Sequence, residues 1–116
     1  MRAILICFLC VSFSVYSQNV FTTSNDFLQT YVKNGKVDYH SIKSEDTKVL
    51  AELFSSQDIN DWSENEKEAF YINAYNFYVI KLITENYPIN SPMDVGGFFD
   101  KKKVNVSGDQ VTLNEI

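Results

Sequence analysis

The run from Ser63 to Pro88 admits one regular conformation, a long helix, and a short chain must arrange everything else around it. Ser63-Glu64-Asn65-Glu66 fits a capping box, in which the serine hydroxyl and a glutamate carboxylate each satisfy an orphan backbone N–H. Glu64, Glu66 and Glu68 lie at the positive end of the helix dipole. Trp62, just before the cap, stands where a hydrophobic staple packs back on the first turn. At the other end Pro88 disfavours helical geometry in the residue before it, so the helix is predicted over 64 to about 86.

Inside this helix lies AFYINAYNFY (residues 69–78), apolar and aromatic apart from Asn73 and Asn76. On the 3.6-residue period Asn73 shares a face with Phe70, Phe77 and Ile80. Asn76 shares the adjoining face with Ala69, Ile72, Val79 and Ile83. Neither face reads as solvent-facing. An unpartnered buried amide costs about 1–3 kcal/mol, so both side chains are expected to be hydrogen-bonded. Two readings follow. In the structural one, the amides tie the helix to the backbone of an irregular segment, such as 35–39 or 88–97. In the other they line a site, orienting a substrate carbonyl or stabilising an oxyanion.

The remaining elements are shorter. Ser24-Asn25 followed by DFLQTYVKNG reads as an N-capped helix ended by Gly35. Residues 45–54 carry Val49, Leu50, Leu53 and Phe54 at helical spacing. Residues 102–106 and 110–113, joined by Ser-Gly-Asp, alternate like a β-hairpin. Leu113-Asn114-Glu115-Ile116 reads as a strand handing over to a new helix with Asn114 as its N-cap. The expected fold class is α+β: a mostly helical single domain, about three helices around the central Asn-containing helix, with a C-terminal β-hairpin.

Residues 1–17 read as a secretory leader. Arg2 supplies a positive charge, residues 3–13 are almost entirely apolar, and Val15 and Ser17 place small residues before a cut between Ser17 and Gln18. The apolar run is shorter than the roughly 20 residues a bilayer span needs, so no stable membrane anchor is expected after cleavage. Leu9 precedes Cys10 where a lipoprotein signal takes a small residue, which argues against lipid attachment. The expectation is an exported product, periplasmic or secreted, with a single domain over residues 18–116. Both cysteines and the sole arginine fall within the leader. A thiolate nucleophile, disulfides and Cys-ligated zinc are therefore not expected in the mature chain. Its nine lysines against fifteen carboxylates give a net charge of about −6, which disfavours nucleic acid as a partner.

Few other residues suggest chemistry, and no cofactor is expected. His40 is the only histidine and lacks a second ligand or nucleophile beside it. Asp38, in Val37-Asp38-Tyr39, is placed to cap a helix or to meet a substrate together with Tyr39. Residues 58–61 resemble a calcium loop only briefly, since Ser63 occupies the position that needs glycine. No metal site is expected. Lys101-Lys102-Lys103 reads as an exposed strand end that discourages edge pairing. Asn105-Val106-Ser107 is a glycosylation sequon.

VDY (37–39), EKEAFYINAYNFYVIKLI (66–83), YP (87–88) and VSGDQVTLNEI (106–116), in that order, resemble the domain of unknown function 547 family. The family occurs in exported bacterial proteins and, fused to coiled-coil segments, in plant proteins. The similarity runs from about Phe27 to the end, with Tyr71 where the family often has tryptophan. In the family, the segment matching 113–116 usually continues into Glu-His and then an arginine. This sequence ends before them, so a truncated product or a fragment is expected. The resemblance implies no reaction, because the family's activity is unestablished. The expected function is an exported non-catalytic module binding an unknown protein or small molecule. The alternative is the N-terminal part of a hydrolase-like or transferase-like enzyme whose His and Arg lie beyond residue 116. The candidate site residues are Asn73, Asn76, Asp38 and Tyr39; no catalytic residue is assigned.

Overall fold

The computed structural model describes residues 16–116, and the predicted leader lies almost wholly outside them. Three helices and two antiparallel ribbons follow in the order α1 (Tyr16–Tyr31), β1 (Val32–Lys33), β2 (Lys36–Val37), α2 (Ser44–Ser56), α3 (Glu64–Asn86), β3 (Val104–Val106) and β4 (Asp109–Val111). The fold is α+β and mostly helical, as the sequence predicts. None of the described helices is long and apolar enough to cross a membrane.

α3 begins and ends where its signals place it. The Ser63 hydroxyl accepts from the Glu66 backbone N–H at 3.2 Å, but the Glu66 carboxylate accepts from that hydroxyl at 2.9 Å and not from the Ser63 backbone N–H, so only half of the expected capping box forms. Tyr87, ahead of Pro88, leaves the helix at ψ 139°. One side of α3 supplies Phe70, Ala74, Phe77 and Tyr78, all buried. Phe54 of α2 stacks on Phe77 at 5.4 Å and also meets Phe70 and Tyr78. Phe27 of α1 meets Phe77 edge-on at 5.7 Å. Trp62 does more than staple one turn. It crosses Phe70 at 5.5 Å and reaches Phe21 of α1 at 5.9 Å. Such ring pairs add about 0.5–1.5 kcal/mol each beyond their burial.

α1 departs from expectation at both ends. It is already helical at Tyr16, the first described residue, and Ser24 lies inside it, buried, its hydroxyl donating to the Val20 carbonyl at 2.7 Å. A serine that satisfies itself four residues back does not need to end a helix. The helix then stops at Tyr31, because Asn34-Gly35 forms a hairpin turn and not a helix C-cap. Asn34 and Gly35 take φ of 53° and 73°, and Val32 pairs with Val37, Lys33 with Lys36. Positive φ at both central residues is the geometry that matches a two-residue turn to strand twist.

The second ribbon uses the same device with Ser107 and Gly108, at φ 53° and 88°. Its turn is thus two residues long, not the three expected. Ser107 tolerates its unusual backbone because it is tied on both sides. Its N–H donates to the Phe54 carbonyl at 2.9 Å and its hydroxyl to the Gln57 carbonyl at 2.6 Å. These are carbonyls at the C-terminal end of α2, which have no partner inside the helix. On the other face Tyr78 donates its hydroxyl to the Asn105 carbonyl at 2.6 Å. The chain closes in a 3₁₀ turn over Leu113–Glu115, capped by Thr112 and not by Asn114. Thr112 and Glu115 form a reciprocal box, and the Asn114 N–H donates to the Phe99 carbonyl.

Burial pushes the Tyr78 hydroxyl up to about 12. A raised folded-state value means the contribution is full below about pH 10 and is lost as pH rises from there toward 12, where only the unfolded chain releases the proton. Tyr78→Phe is expected to cost about 1–2 kcal/mol at pH 7 through the lost hydrogen bond. It should also flatten the alkaline loss of stability between about pH 10 and 12, read by urea unfolding across that range.

Candidate functional site

Asn73 lies half-buried on α3, and its side-chain N–H donates to the Ala69 carbonyl at 2.9 Å. It thus satisfies itself on its own helix and reaches neither irregular segment. Asn76 is exposed and makes no hydrogen bond to another described residue. The face that reads as buried in the sequence is therefore open. Ile72 is 55% exposed, and Tyr71 and Tyr75 are 39% and 37% exposed. The reason is geometric. α1, α2 and the second ribbon cover the Phe70/Ala74/Phe77/Tyr78 side of a helix that is apolar nearly all round, and periodicity does not say which side neighbours will take.

The exposed face forms a shallow depression of about 410 Å³ lined by Glu68, Tyr71, Ile72, Tyr75, Asn76 and Ile116. Ile116 is brought there by the 3₁₀ turn, which Glu115 holds. Its carboxylate accepts from the Thr112 N–H at 2.7 Å and from Lys103 Nζ at 3.3 Å. Those two contacts, the backbone one foremost, hold the Glu115 carboxyl below its ordinary value. Glu64, exposed one turn ahead of Glu68, pairs with Lys67 at 3.7 Å, so Glu68 is the carboxylate without an ion-pair partner among the described residues at this end of the face.

Asp38 and Tyr39 are placed elsewhere. Asp38 is exposed at the start of the 3₁₀ turn Tyr39–Ser41, where its carboxylate accepts from the Ser41 hydroxyl at 2.7 Å and from no backbone N–H. Tyr39 stacks on Tyr87 at 5.8 Å and so docks that turn against the C-terminal end of α3. Burial raises its hydroxyl above the ordinary tyrosine value. None of the described cavities brings Asp38 or Tyr39 together with Asn73 or Asn76. His40 is exposed in the same turn. The lysine cluster divides. Lys101 and Lys102 donate backbone N–H groups to the Gly97 carbonyl, and Lys103 alone adjoins β3.

The largest described cleft, about 830 Å³, lies on another side, between α2, the C-terminal half of α3 and β3. Ile42, Ala51, Tyr78, Leu82 and Val104 form its apolar floor, with Lys48, Glu52, Lys81, Glu85 and Lys103 around it. Sequence reasoning missed both the open aromatic face and this cleft. An all-round apolar helix is a signal for the first, since one side of such a helix needs a cover. Nothing in the order of residues announces the second.

Because neither amide ties α3 to another segment, Asn73→Ala and Asn76→Ala are each expected to change stability by less than about 1 kcal/mol. Alanine's better helix propensity offsets the lost contact. Chemical denaturation checks this. A loss above 2 kcal/mol in either variant would restore the structural reading of that amide.

Comparison with known proteins adds one finding. No curated protein and no solved structure matches the chain. The family model described as "Protein of unknown function, DUF547" matches residues 59–116, half of the sequence. The match takes in all of α3, the open aromatic face and the second ribbon, while Val37-Asp38-Tyr39 lies outside it. By that match, the chain belongs to the DUF547 family.

Proposed function

We propose that this chain is an exported, non-catalytic binding module whose recognition surface is the open face of α3. The observation that carries the reading is the exposure of Tyr71, Ile72 and Tyr75 beside Asn76, on a stretch of helix whose opposite side buries Phe70, Ala74 and Phe77. Side chains at i, i+3, i+4, i+7 and i+8 make the ridge that another helix packs against. Glu68 at one end calls for positive charge in the partner, while Glu64 is already paired with Lys67. The occupant is an amphipathic helix carrying lysine or arginine beside its apolar stripe, bound in the helix-in-groove manner. Asn76, on the edge of the face, supplies a directional hydrogen bond that apolar contact lacks.

The second reading makes the chain the N-terminal part of a hydrolase-like or transferase-like enzyme, with His and Arg beyond residue 116. What favours it is the same unpartnered Asn76 amide, which is available to orient a substrate carbonyl or an oxyanion.

A labelled amphipathic peptide of leucine and lysine, set against a leucine–glutamate peptide of the same pattern, tests the proposal. Binding is expected for the lysine peptide, with at least a tenfold loss on Ile72→Asp, the size of a central interface anchor. The melting temperature should hold, because Ile72 is already exposed. Equal binding of both peptides, or unchanged binding by Ile72→Asp, would refute the recognition face.

A further inference from the structure

The cleft between α2, α3 and β3 has a volume within the range typical of small-molecule sites, about 300–1,000 Å³, and Ile42, Ala51, Tyr78, Leu82 and Val104 make its floor apolar. Its charges are not equivalent. Lys81 is paired with Glu85, and Lys103 with Glu115 at 3.3 Å. Each pair is internally neutral. That leaves Lys48 and Glu52, one turn apart on α2 and both exposed, with no side-chain partner among the described residues. A purely anionic ligand would bring its charge beside Glu52, and a purely cationic one would face Lys48. A zwitterion with an apolar body meets both and covers the floor. Gln110 on the ribbon wall adds a carboxamide suited to a peptide group, and Asn105, whose Oδ1 accepts from the Gly108 N–H at 3.0 Å, adds its side-chain N–H donors.

We propose that this cleft binds a short apolar peptide with free termini, its carboxylate toward Lys48, its ammonium toward Glu52 and its side chains on Leu82, Ala51 and Val104. The site is separate from the α3 face and does not depend on it. Both charged residues project from the exposed side of α2, so neither is needed for the packing of Phe54 or Leu50.

Leucyl-leucine is the probe, with its C-terminal amide and N-acetyl derivatives. Titration is followed by NMR on the methyl groups of Leu82 and Val104. Saturable shifts at millimolar peptide are expected. Amidation should weaken binding about threefold to fivefold, the worth of an exposed ion pair, in the wild type but not in Lys48→Met. Acetylation should do the same in the wild type but not in Glu52→Gln. Ile72→Asp on the α3 face should leave these affinities unchanged, so failure here and failure of the recognition face are separable. Absence of saturable shifts at Leu82 and Val104, or indifference to blocking either end, would overturn the site.

Discussion

Phe54 is wholly shielded from water, and its ring touches Phe70, Phe77 and Tyr78 of α3 together. A single side chain from α2 thus fixes that helix against about two turns of α3. The consequence travels along the backbone. Phe54's own carbonyl receives the Ser107 N–H, and the neighbouring Gln57 carbonyl receives the Ser107 hydroxyl. The second ribbon is therefore hung on the end of α2, and α2 is hung on α3. Tyr78 closes the loop by bonding β3 from below. Ring packing supplies most of the free energy here. The few hydrogen bonds settle register, since each is worth only about 0.5–1.5 kcal/mol net.

α3, the expected helix around 45–54, the C-terminal ribbon and the α+β class were all legible in the order of residues. These are the features with local causes: a serine with glutamate three residues on, a proline, alternating apolar residues around a Ser-Gly. What misled were residues whose local chemistry serves two structures. Asn34-Gly35 offers positive φ to a helix C-cap or to a hairpin turn, and only Val32 pairing with Val37 decides. Ser24 offers a hydroxyl to a helix start or to its own carbonyl four residues back. Thr112 and Asn114 are both good caps. Glu115 falls three residues after Thr112, and the reciprocal bonds this allows select the threonine.

The candidate site was less legible, for a different reason. Periodicity ranks faces by polarity, and on α3 nearly every face is apolar. Burial of Phe70 and Phe77 and exposure of Ile72 and Tyr75 are outcomes of where α1, α2 and the ribbon come to lie, which is long-range information. Asn76 therefore reads as a costly buried amide and is in fact solvated. Asn73, the one that is half-buried, spends its amide on Ala69. The two asparagines, three residues apart and alike in sequence, have different surroundings.

That difference bears on which residues recognition can use. A half-buried amide bonded to its own helix offers a partner little, because engaging it first breaks a bond of about equal worth. An exposed amide beside Tyr71, Ile72 and Tyr75 has no such debt, and the rings and the isoleucine can be desolvated at roughly 25 cal/mol per Å² of apolar area. Recognition through α3 should therefore draw its strength from Ile72 and the tyrosines and its direction from Asn76. The cleft across the molecule works in the opposite sense. There the apolar floor is shared among α2, α3 and β3, and the direction comes from two charges of opposite sign on one helix. Selectivity on the first surface follows the shape of a partner helix, and in the second the separation of a ligand's ends.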